Sequence, residues 1–314
     1  MKLLLCLLLA NAFSAHALET DNYLAWGVTL PDSSEDVNQL IRKQIEEVVV
    51  SAKEDVSCRT ITFRIANRFK TTPGRKLFED WSIEHISHKM FPSTPFYLKQ
   101  SIYKNTRRVY LSKSGLSPNL HANGVYFGVD KLSHFGSTGR RYLKVFLHEL
   151  KKGSSTEEAE RKAIRMGLSN EARILGLWPS GVFSYGDMEA NYQGLRFYKK
   201  LCLDEQEPYL EKADGRWKLT RVPDIRTYVN PFWDESFNLS YLAPGMWNVS
   251  SREIKEKYCP LRNNEEVQAR FKSYLDSTHK SHSLEYIKEL QLNNYYQAPV
   301  PSERQSVDSL CENP

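Results

Sequence analysis

Acids, amides and a histidine recur between Asn123 and Cys202 inside sequence that is otherwise apolar and helix-like. The set comprises Asp130, His134, Glu171, Ser184, Asp187 and Asn191. Burying such groups costs free energy unless each finds a partner. We therefore predict that they face one shared site. Their types admit general acid–base catalysis, metal ligation or a structural hydrogen-bond network.

Glu171 falls on the apolar face of a helical pattern. At about 100° per residue, Ile164, Leu168 and Leu175 lie on one narrow face, with Glu171 in its middle. A glutamate there either finds partners or keeps its proton with a raised pKa. A raised pKa would suit a general acid, whereas metal ligation would keep the carboxylate ionised. An ion pair with an arginine, or capping of a neighbouring helix, would instead make the residue structural.

Asn191 lies at the centre of a second apolar helical face. That face consists of Met188, Leu195, Tyr198 and Cys202. The amide must be satisfied inside a bundle, and we predict a substrate-binding role for it. Gly194 on the flank indicates that another backbone comes close. Ser184 and Asp187 nearly form a capping box, so they either close the helix start or contribute to the site.

Asp130 and His134 occupy positions i and i+4 of a predicted helix. Side chains at this spacing point the same way, so the pair could share a metal, or the acid could orient the ring as a base. The apolar face of this helix lies on the opposite side, which indicates that the pair meets water. Asp130 could also be only the N-cap of the helix.

The predicted site takes two enzymatic forms. In the first, Asp130, His134, Glu171 and Asp187 hold one divalent metal ion, and a bound water attacks the substrate. Glu171, His134 and Asp187 are the catalytic candidates. In the second form, Glu171 is the acid of a lysozyme-like glycosidase, and Asp187 or Asp234 is the second carboxylate.

An aromatic stretch further along the chain supplies two more candidates. Asp234 and Glu235 lie between Trp233 and Phe237. Asp234 could bind substrate, and Trp233 could stack on a sugar or another ring. The alternative is that these are exposed turn residues. With Asn191 and Ser184, Trp233 and Asp234 complete the predicted substrate-binding set.

The three polar runs together resemble a known arrangement. It is carried by Asp130-Lys131-x-x-His134-Phe135, Glu171, and Ser184-x-x-Asp187-x-x-Ala190-Asn191-x-x-Gly194. The match resembles bacterial envelope proteins of the YfiM type, which are predicted lipoproteins of unknown function, and more remotely the VanZ-like family. It covers only about residues 124 to 200. The resemblance implies that the polar residues converge, but it implies no reaction. This chain departs from the pattern in having a cleavable signal and long segments on both sides.

Three helices are predicted to position these residues, over about Asp130–Leu150, Thr156–Leu175 and Ser184–Leu203. Their short connections favour antiparallel neighbours. Ser155 with Glu158 three residues later predicts a capping box at the middle helix.

The flanking sequence is less regular. The segment Cys58–Ile65 fits a strand or a helix almost equally well, and Asp214-Gly215 predicts a β-hairpin. The predicted fold is therefore mainly α: a single-domain helical bundle core with a small β-hairpin and long aromatic loops. We predict one domain over residues 18–296, with a core motif region at 124–203 and a loose Pro/Ser-rich tail at 297–314.

The N-terminus predicts export. Met1-Lys2, an apolar run from Leu3 to Phe13 and Ala15-His16-Ala17 form a signal peptide over residues 1–17. No later stretch is long and apolar enough to span a bilayer, so we expect no transmembrane segment after cleavage. Removing Cys6 leaves an even set of cysteines, which allows two disulfides in three connectivities. That set is Cys58, Cys202, Cys259 and Cys311.

The bulk composition limits the partners. Hydrophobic residues make up 40% of the 314 residues, enough for a sizeable core, and the net charge is only +5. That net charge is much smaller than is typical of a nucleic-acid-binding protein, but it suits binding to an anionic envelope polymer or a lipid head group. We therefore expect a periplasmic or secreted envelope protein, with metal-assisted hydrolysis as the leading hypothesis. The alternatives are the glycosidase above and a non-enzymatic binding or scaffold protein.

Overall fold

The computed structural model describes residues 19–72, 76–93, 97–104, 115–204, 206–295 and 307–312. The predicted signal peptide and residues 297–306 of the predicted tail lie outside these ranges. Within them the chain is mainly α-helical and its strands form two-stranded sheets. The predicted fold class is confirmed.

Helices in the first part of the described chain pack against a central bundle. They are α1 (Ser34–Ser51), α2 (Cys58–Arg68) and α3 (Leu77–His85). Helix α2 begins after Ser57, whose side chain accepts a hydrogen bond from the Thr60 amide, as an N-cap residue does. Ile61 and Ile65, four residues apart, are fully buried on its inner face. The helical alternative for this segment is therefore correct and the strand alternative is wrong.

Three long helical stretches form the centre of the molecule, at the positions predicted for the three helices that carry the polar residues. They are α4 (Val129–Ser133) with a π-helical turn (His134–Thr138) and α5 (Gly139–Lys151), α6 (Thr156–Asn170) with a π-helical end (Glu171–Leu175), and α7 (Tyr185–Cys202). The predicted capping box of α6 is confirmed, because Ser155 and Glu158 exchange both hydrogen bonds. Helix α7 is capped by Ser184, which accepts from the Asp187 amide.

Helix α7 crosses the α4–α5 stretch at two glycines. A Cβ atom on Gly194 would lie 1.9 Å from the Phe135 carbonyl oxygen, and one on Gly139 would lie 2.8 Å from the Gly194 Cα. Only a residue without a side chain fits at this distance. The predicted close approach at Gly194 is confirmed, and it brings Asn191 of α7 against the stretch that carries His134.

Short strands tie the loops to the bundle. The pairs are β1 (Glu19–Thr20) with β2 (Leu116–Ser117) in parallel, and β3 (Asn119–Ala122) with β4 (Val125–Gly128), β5 (Val182–Phe183) with β8 (Tyr241–Leu242), and β6 (Leu210–Ala213) with β7 (Arg216–Leu219), all antiparallel. The predicted hairpin is the pair β6–β7. Its turn residues Asp214 and Gly215 both have positive φ, as a tight hairpin turn requires.

The C-terminal part adds shorter helices and closes two disulfides. The helices are α8 (Pro244–Glu253), α9 (Glu265–Leu275), α10 (His282–Leu292) and α11 (Val307–Glu312). Cys58 pairs with Cys202 and Cys259 with Cys311. Residues 307–312 of the predicted loose tail are therefore helical and covalently anchored. None of the described helices combines the length and apolar composition that crossing a membrane requires.

Candidate functional site

His134 and Glu171, two of the predicted site residues, each begin a π-helical segment. His134 starts the turn His134–Thr138 between α4 and α5, and Glu171 starts the end of α6. π-Helical segments are rare in proteins overall, but those that occur are often found at functional sites. They redirect side chains that regular helical spacing would send elsewhere. Both side chains are buried, at 5% and 1% exposure.

Lys131 is the centre of the polar cluster. Its Nζ atom lies 2.7 Å from Asp130 Oδ2, 2.8 Å from Asp187 Oδ1 and 2.8 Å from Glu235 Oε1. The side chain is fully buried. A buried ammonium is stable only when carboxylates compensate its charge, so these three acids and the lysine form one electrostatic unit that joins α4, α7 and the loop after β7.

His134 lies between a carboxylate and an amide. Its Nε2 is 3.1 Å from Asp187 Oδ2, and its Nδ1 is 3.1 Å from Asn191 Oδ1. The Asn191 amide group also hydrogen-bonds Tyr142, which leaves its oxygen for the histidine. Both ring nitrogens therefore face oxygen acceptors.

Ser184 connects the lysine unit to Glu171. Its hydroxyl donates to Glu235 Oε1 and accepts from the Asp187 amide at 2.9 Å. Its own amide donates to Glu171 Oε1 at 3.2 Å. The predicted cap is confirmed, and the same two residues also contact the polar cluster. Glu171 Oε2 and Glu235 Oε2 are buried without a hydrogen-bond partner.

The N-terminal strand β1 closes another side of the cluster. The Thr20 hydroxyl donates to Asp130 Oδ1, and Glu19 is buried at 5% exposure. Gly128 makes room for this contact, since a Cβ atom there would lie 1.7 Å from Thr20 Oγ1 and 2.1 Å from Asp130 Oδ1. Glu19 hydrogen-bonds Ser180 and is close enough to Asp187 and Glu235 to feel their charge.

Burial separates the acids of the cluster into two protonation classes. Desolvation, with repulsion from Asp187, raises the pKa of Glu19 and of Glu171 well above the usual range. Desolvation also raises the pKa of Glu235 to about 7, although Lys131 opposes it. Asp187 is the exception. Its burial favours the neutral form, but His134 and Lys131 outweigh burial and lower its pKa.

The structure corrects several expectations for Asp130 and His134. Gly128, not Asp130, is the N-cap of α4. The pair does not meet water: Asp130 is fully buried, because Lys131, β1 and α7 cover the face that the sequence left polar. Asp130, His134, Asp187 and Asn191 are brought together, and Ser184 joins Glu171 to them.

Trp233 and Asp234 lie elsewhere. Trp233 is fully buried, with its ring 5.0 Å from Phe127, so it offers no face for stacking on a substrate. Asp234 accepts from Ser236 and from the Tyr274 hydroxyl at 3.2 Å, which makes it part of a separate buried network. Asp234 and Glu235 are also not exposed turn residues, because both are buried.

Sequence reasoning assigned no site role to Glu19 or Lys131, and it named Glu235 only beside Asp234 as a possible second carboxylate. Glu19 is the second residue after the predicted cleavage point, and Lys131 directly follows Asp130. Neither residue lies on the polar face of a predicted helix. Glu235 did carry a signal, since an acid inside the aromatic stretch Phe232–Phe237 must be paired if the stretch is buried.

The described residues include no group of three or more His, Cys, Asp or Glu side chains arranged to hold a metal ion. The reason is visible around Lys131. Its ammonium takes up the space between Asp130, Asp187 and Glu235 at hydrogen-bond distance, which is where a cation bound by these acids would sit.

A narrow crevice reaches the cluster at Glu235. It has a cavity of about 20 Å³, room for roughly one group the size of a water molecule. Its wall is formed by residues 20–23, by Ile102 and Tyr103, and by side chains of the segment 235–254, including Ser240 and Trp247.

Comparison with protein-family models, with curated proteins and with solved structures finds no match to this chain.

Proposed function

We propose that this protein is an exported hydrolase of the cell envelope, with Glu235 as its general acid at the inner end of the crevice. Export is supported by the signal-like N-terminus and by the two disulfides, which form in oxidising compartments. The substrate class is an envelope polymer or a lipid-linked molecule.

The observation that carries the proposal is the state of Glu235. Its Oε1 is held by Lys131 and Ser184, while its Oε2 has no partner and the residue lines the crevice. Burial raises its pKa to about 7, so at neutral pH it is poised between donor and acceptor. A general acid works best with its pKa near the working pH.

The rest of the cluster sets the properties of this carboxyl. Lys131 stabilises the carboxylate that remains after Glu235 gives its proton to the leaving group. Asp187 lies 2.8 Å from Lys131 Nζ and 3.1 Å from His134 Nε2, so its carboxylate connects the histidine to the lysine. Glu171 and Glu19 hold protons in this scheme, so they add little negative charge. We assign to Lys131 the position that the sequence hypothesis gave to a divalent metal.

The test is turnover of envelope substrates by Glu235→Gln. The variant keeps the shape of the side chain and its contact with Lys131 but cannot donate a proton. We expect hydrolysis of purified peptidoglycan or of a lipid-linked precursor to fall about 100-fold or more, with far-UV circular dichroism unchanged. Glu79→Gln is the matched control, since burial also raises the pKa of Glu79 to about 7 and Glu79 does not line the crevice. Equal activity of Glu235→Gln and wild type would reject the proposal.

A glycosidase using Glu171 is a second candidate, favoured by the unpartnered Glu171 Oε2 and its raised pKa. The same assay separates the two. If release of reducing sugar ends in Glu171→Gln but continues in Glu235→Gln, Glu171 is the acid.

A non-enzymatic scaffold is favoured by the deep burial of every cluster residue. In that case Glu235→Gln and His134→Ala would lower the melting temperature, and no envelope substrate would be turned over by wild type.

A further inference from the structure

The cluster is one positive charge short when Glu235 is ionised. Asp130, Asp187 and Glu235 are the carboxylates in salt bridges, and Lys131 and His134 are the cations that face them. Even with both cations charged, three negative charges face two positive ones. Glu19 and Glu171 add no charge while they keep their protons. The missing charge is supplied by a proton on Glu235 or by a ligand.

Two buried oxygen atoms among the crevice residues have no hydrogen-bond partner. They are Glu235 Oε2 and Ser240 Oγ. Glu235 is 6% exposed, so its free oxygen cannot be satisfied by bulk water. An unpaired buried oxygen costs free energy, and a ligand that donates hydrogen bonds would remove that cost.

The wall of the crevice selects the sign of the ligand charge. Among the described residues, it contains the carboxyl groups of Asp21 and Glu235 and no lysine, arginine or histidine. It also includes the aromatic residues Tyr23, Tyr103 and Trp247, and aromatic rings attract cations through their faces. A phosphate or a carboxylate would meet these two carboxyl groups, and the nearest described cation, Lys131, is already held by Asp130, Asp187 and Glu235. A compact cation with several N–H donors could instead donate hydrogen bonds to the Glu235 carboxylate and the Ser240 hydroxyl, with the aromatic residues beside it.

We propose that the crevice binds the protonated primary amine of an organic ligand, with the ammonium group at Glu235 Oε2 and Ser240 Oγ and its carbon chain along the aromatic wall. The cavity of about 20 Å³ matches the size of one ammonium group. A divalent metal fits less well, because it needs several oxygen ligands and the described residues supply no such group. The inference goes beyond the proposed function. An ammonium at Glu235 Oε2 requires the ionised carboxylate, whereas proton donation requires the neutral acid, so the amine is a competing ligand of the site and not its substrate.

Proton and ammonium compete for the same carboxylate. The charged or titratable groups that act on Glu235 come from five segments of the chain, and they are Lys131, Asp130, Asp187, Glu19, Tyr23 and Tyr103. Because the pKa of Glu235 is about 7, its proton must leave before the amine binds. Binding should therefore tighten about tenfold between about pH 6 and about pH 8 and change little above that.

The experiment measures binding of n-butylammonium to the purified chain by titration calorimetry or ligand-observed NMR, with sodium butyrate and magnesium chloride as the other arms. We expect saturable amine binding, no butyrate binding, and a dissociation constant at least about tenfold higher in Glu235→Gln. Glu79→Gln should bind like wild type. Ser240→Ala should weaken binding severalfold and serves as the second variant if Glu235→Gln does not fold.

Equal affinity for butyrate, an unchanged dissociation constant in both Glu235→Gln and Ser240→Ala, or displacement of the amine by magnesium would each overturn the inference. Binding is measured without turnover, so the two proposals fail separately. Turnover that requires Glu235 without amine binding would reject the amine site alone. Amine binding without turnover of any envelope substrate would reject the hydrolase and leave a binding protein.

Discussion

Replacing Lys131 by methionine is the sharpest test of the buried cluster. The change keeps an unbranched side chain of similar length but removes the ammonium that lies within 2.8 Å of three carboxyl groups. Removing one partner of a buried ion pair costs about 3–5 kcal/mol, because an uncompensated charge remains. With an unfolding entropy of about 2.1 cal/mol/K per residue, this corresponds to a fall in melting temperature of roughly 5–8 °C for a chain of 314 residues.

The cost should depend on pH in a defined direction. Without Lys131, the pKa of Glu235 in the folded protein, which burial already raises, rises further above its unfolded value near 4, because the ammonium no longer opposes burial. Below about pH 4 both states are protonated, so the variant loses little stability. As pH rises, the unfolded state releases protons that the folded state retains, and the loss grows. In wild type, the carboxylates raise the pKa of Lys131, so its charge is retained throughout this range.

The assay is urea unfolding of wild type and Lys131→Met at about pH 5 and about pH 8, followed by circular dichroism. We expect the difference in unfolding free energy to be larger at the higher pH. Lys212→Met is the control, since Lys212 pairs with Asp55 at 3.2 Å and the two side chains are 34% and 87% exposed. It should cost about 1 kcal/mol or less. A loss below about 1 kcal/mol for Lys131→Met, or one that shrinks with pH, would refute the description of the cluster as an ion network.

Three further predictions follow from the fold. Gly194→Ala should destabilise the protein by about 3 kcal/mol or more in thermal unfolding, because its Cβ atom would collide with the Phe135 carbonyl oxygen 1.9 Å away; a neutral effect would mean that the helices separate easily. Replacing both Cys58 and Cys202 by serine should cost up to about 5 kcal/mol in urea unfolding, since their bond closes a loop with a sequence separation of 144 residues; an unchanged midpoint would argue against the pairing. Because Lys131 fills the centre of the acids, adding a chelator should leave the melting temperature within about 1 °C, and a larger fall would favour the metal hypothesis.

The sequence alone determined the central helices and the convergence of the polar residues. Periodicity placed Asn191 on a buried face, where it meets His134, and the Ser184 spacing predicted the cap of α7. These features depend on residues close in the chain. Local spacing is sufficient for them because hydrogen bonding and side-chain direction within a helix repeat every few residues.

The tertiary structure alone decided which groups complete the cluster and what charge they carry. Glu19 and Glu235 reach Lys131 from distant parts of the chain, and no local pattern relates them to it. Tertiary packing also decided the positions of Trp233 and Asp234. Their residue types suggested that they belong to the site, but Trp233 packs against Phe127 and Asp234 accepts a hydrogen bond from Tyr274. Burial and the distance between charges set a pKa, and both are properties of the folded chain, which is why a residue type can suggest a chemical role that only its neighbours can assign.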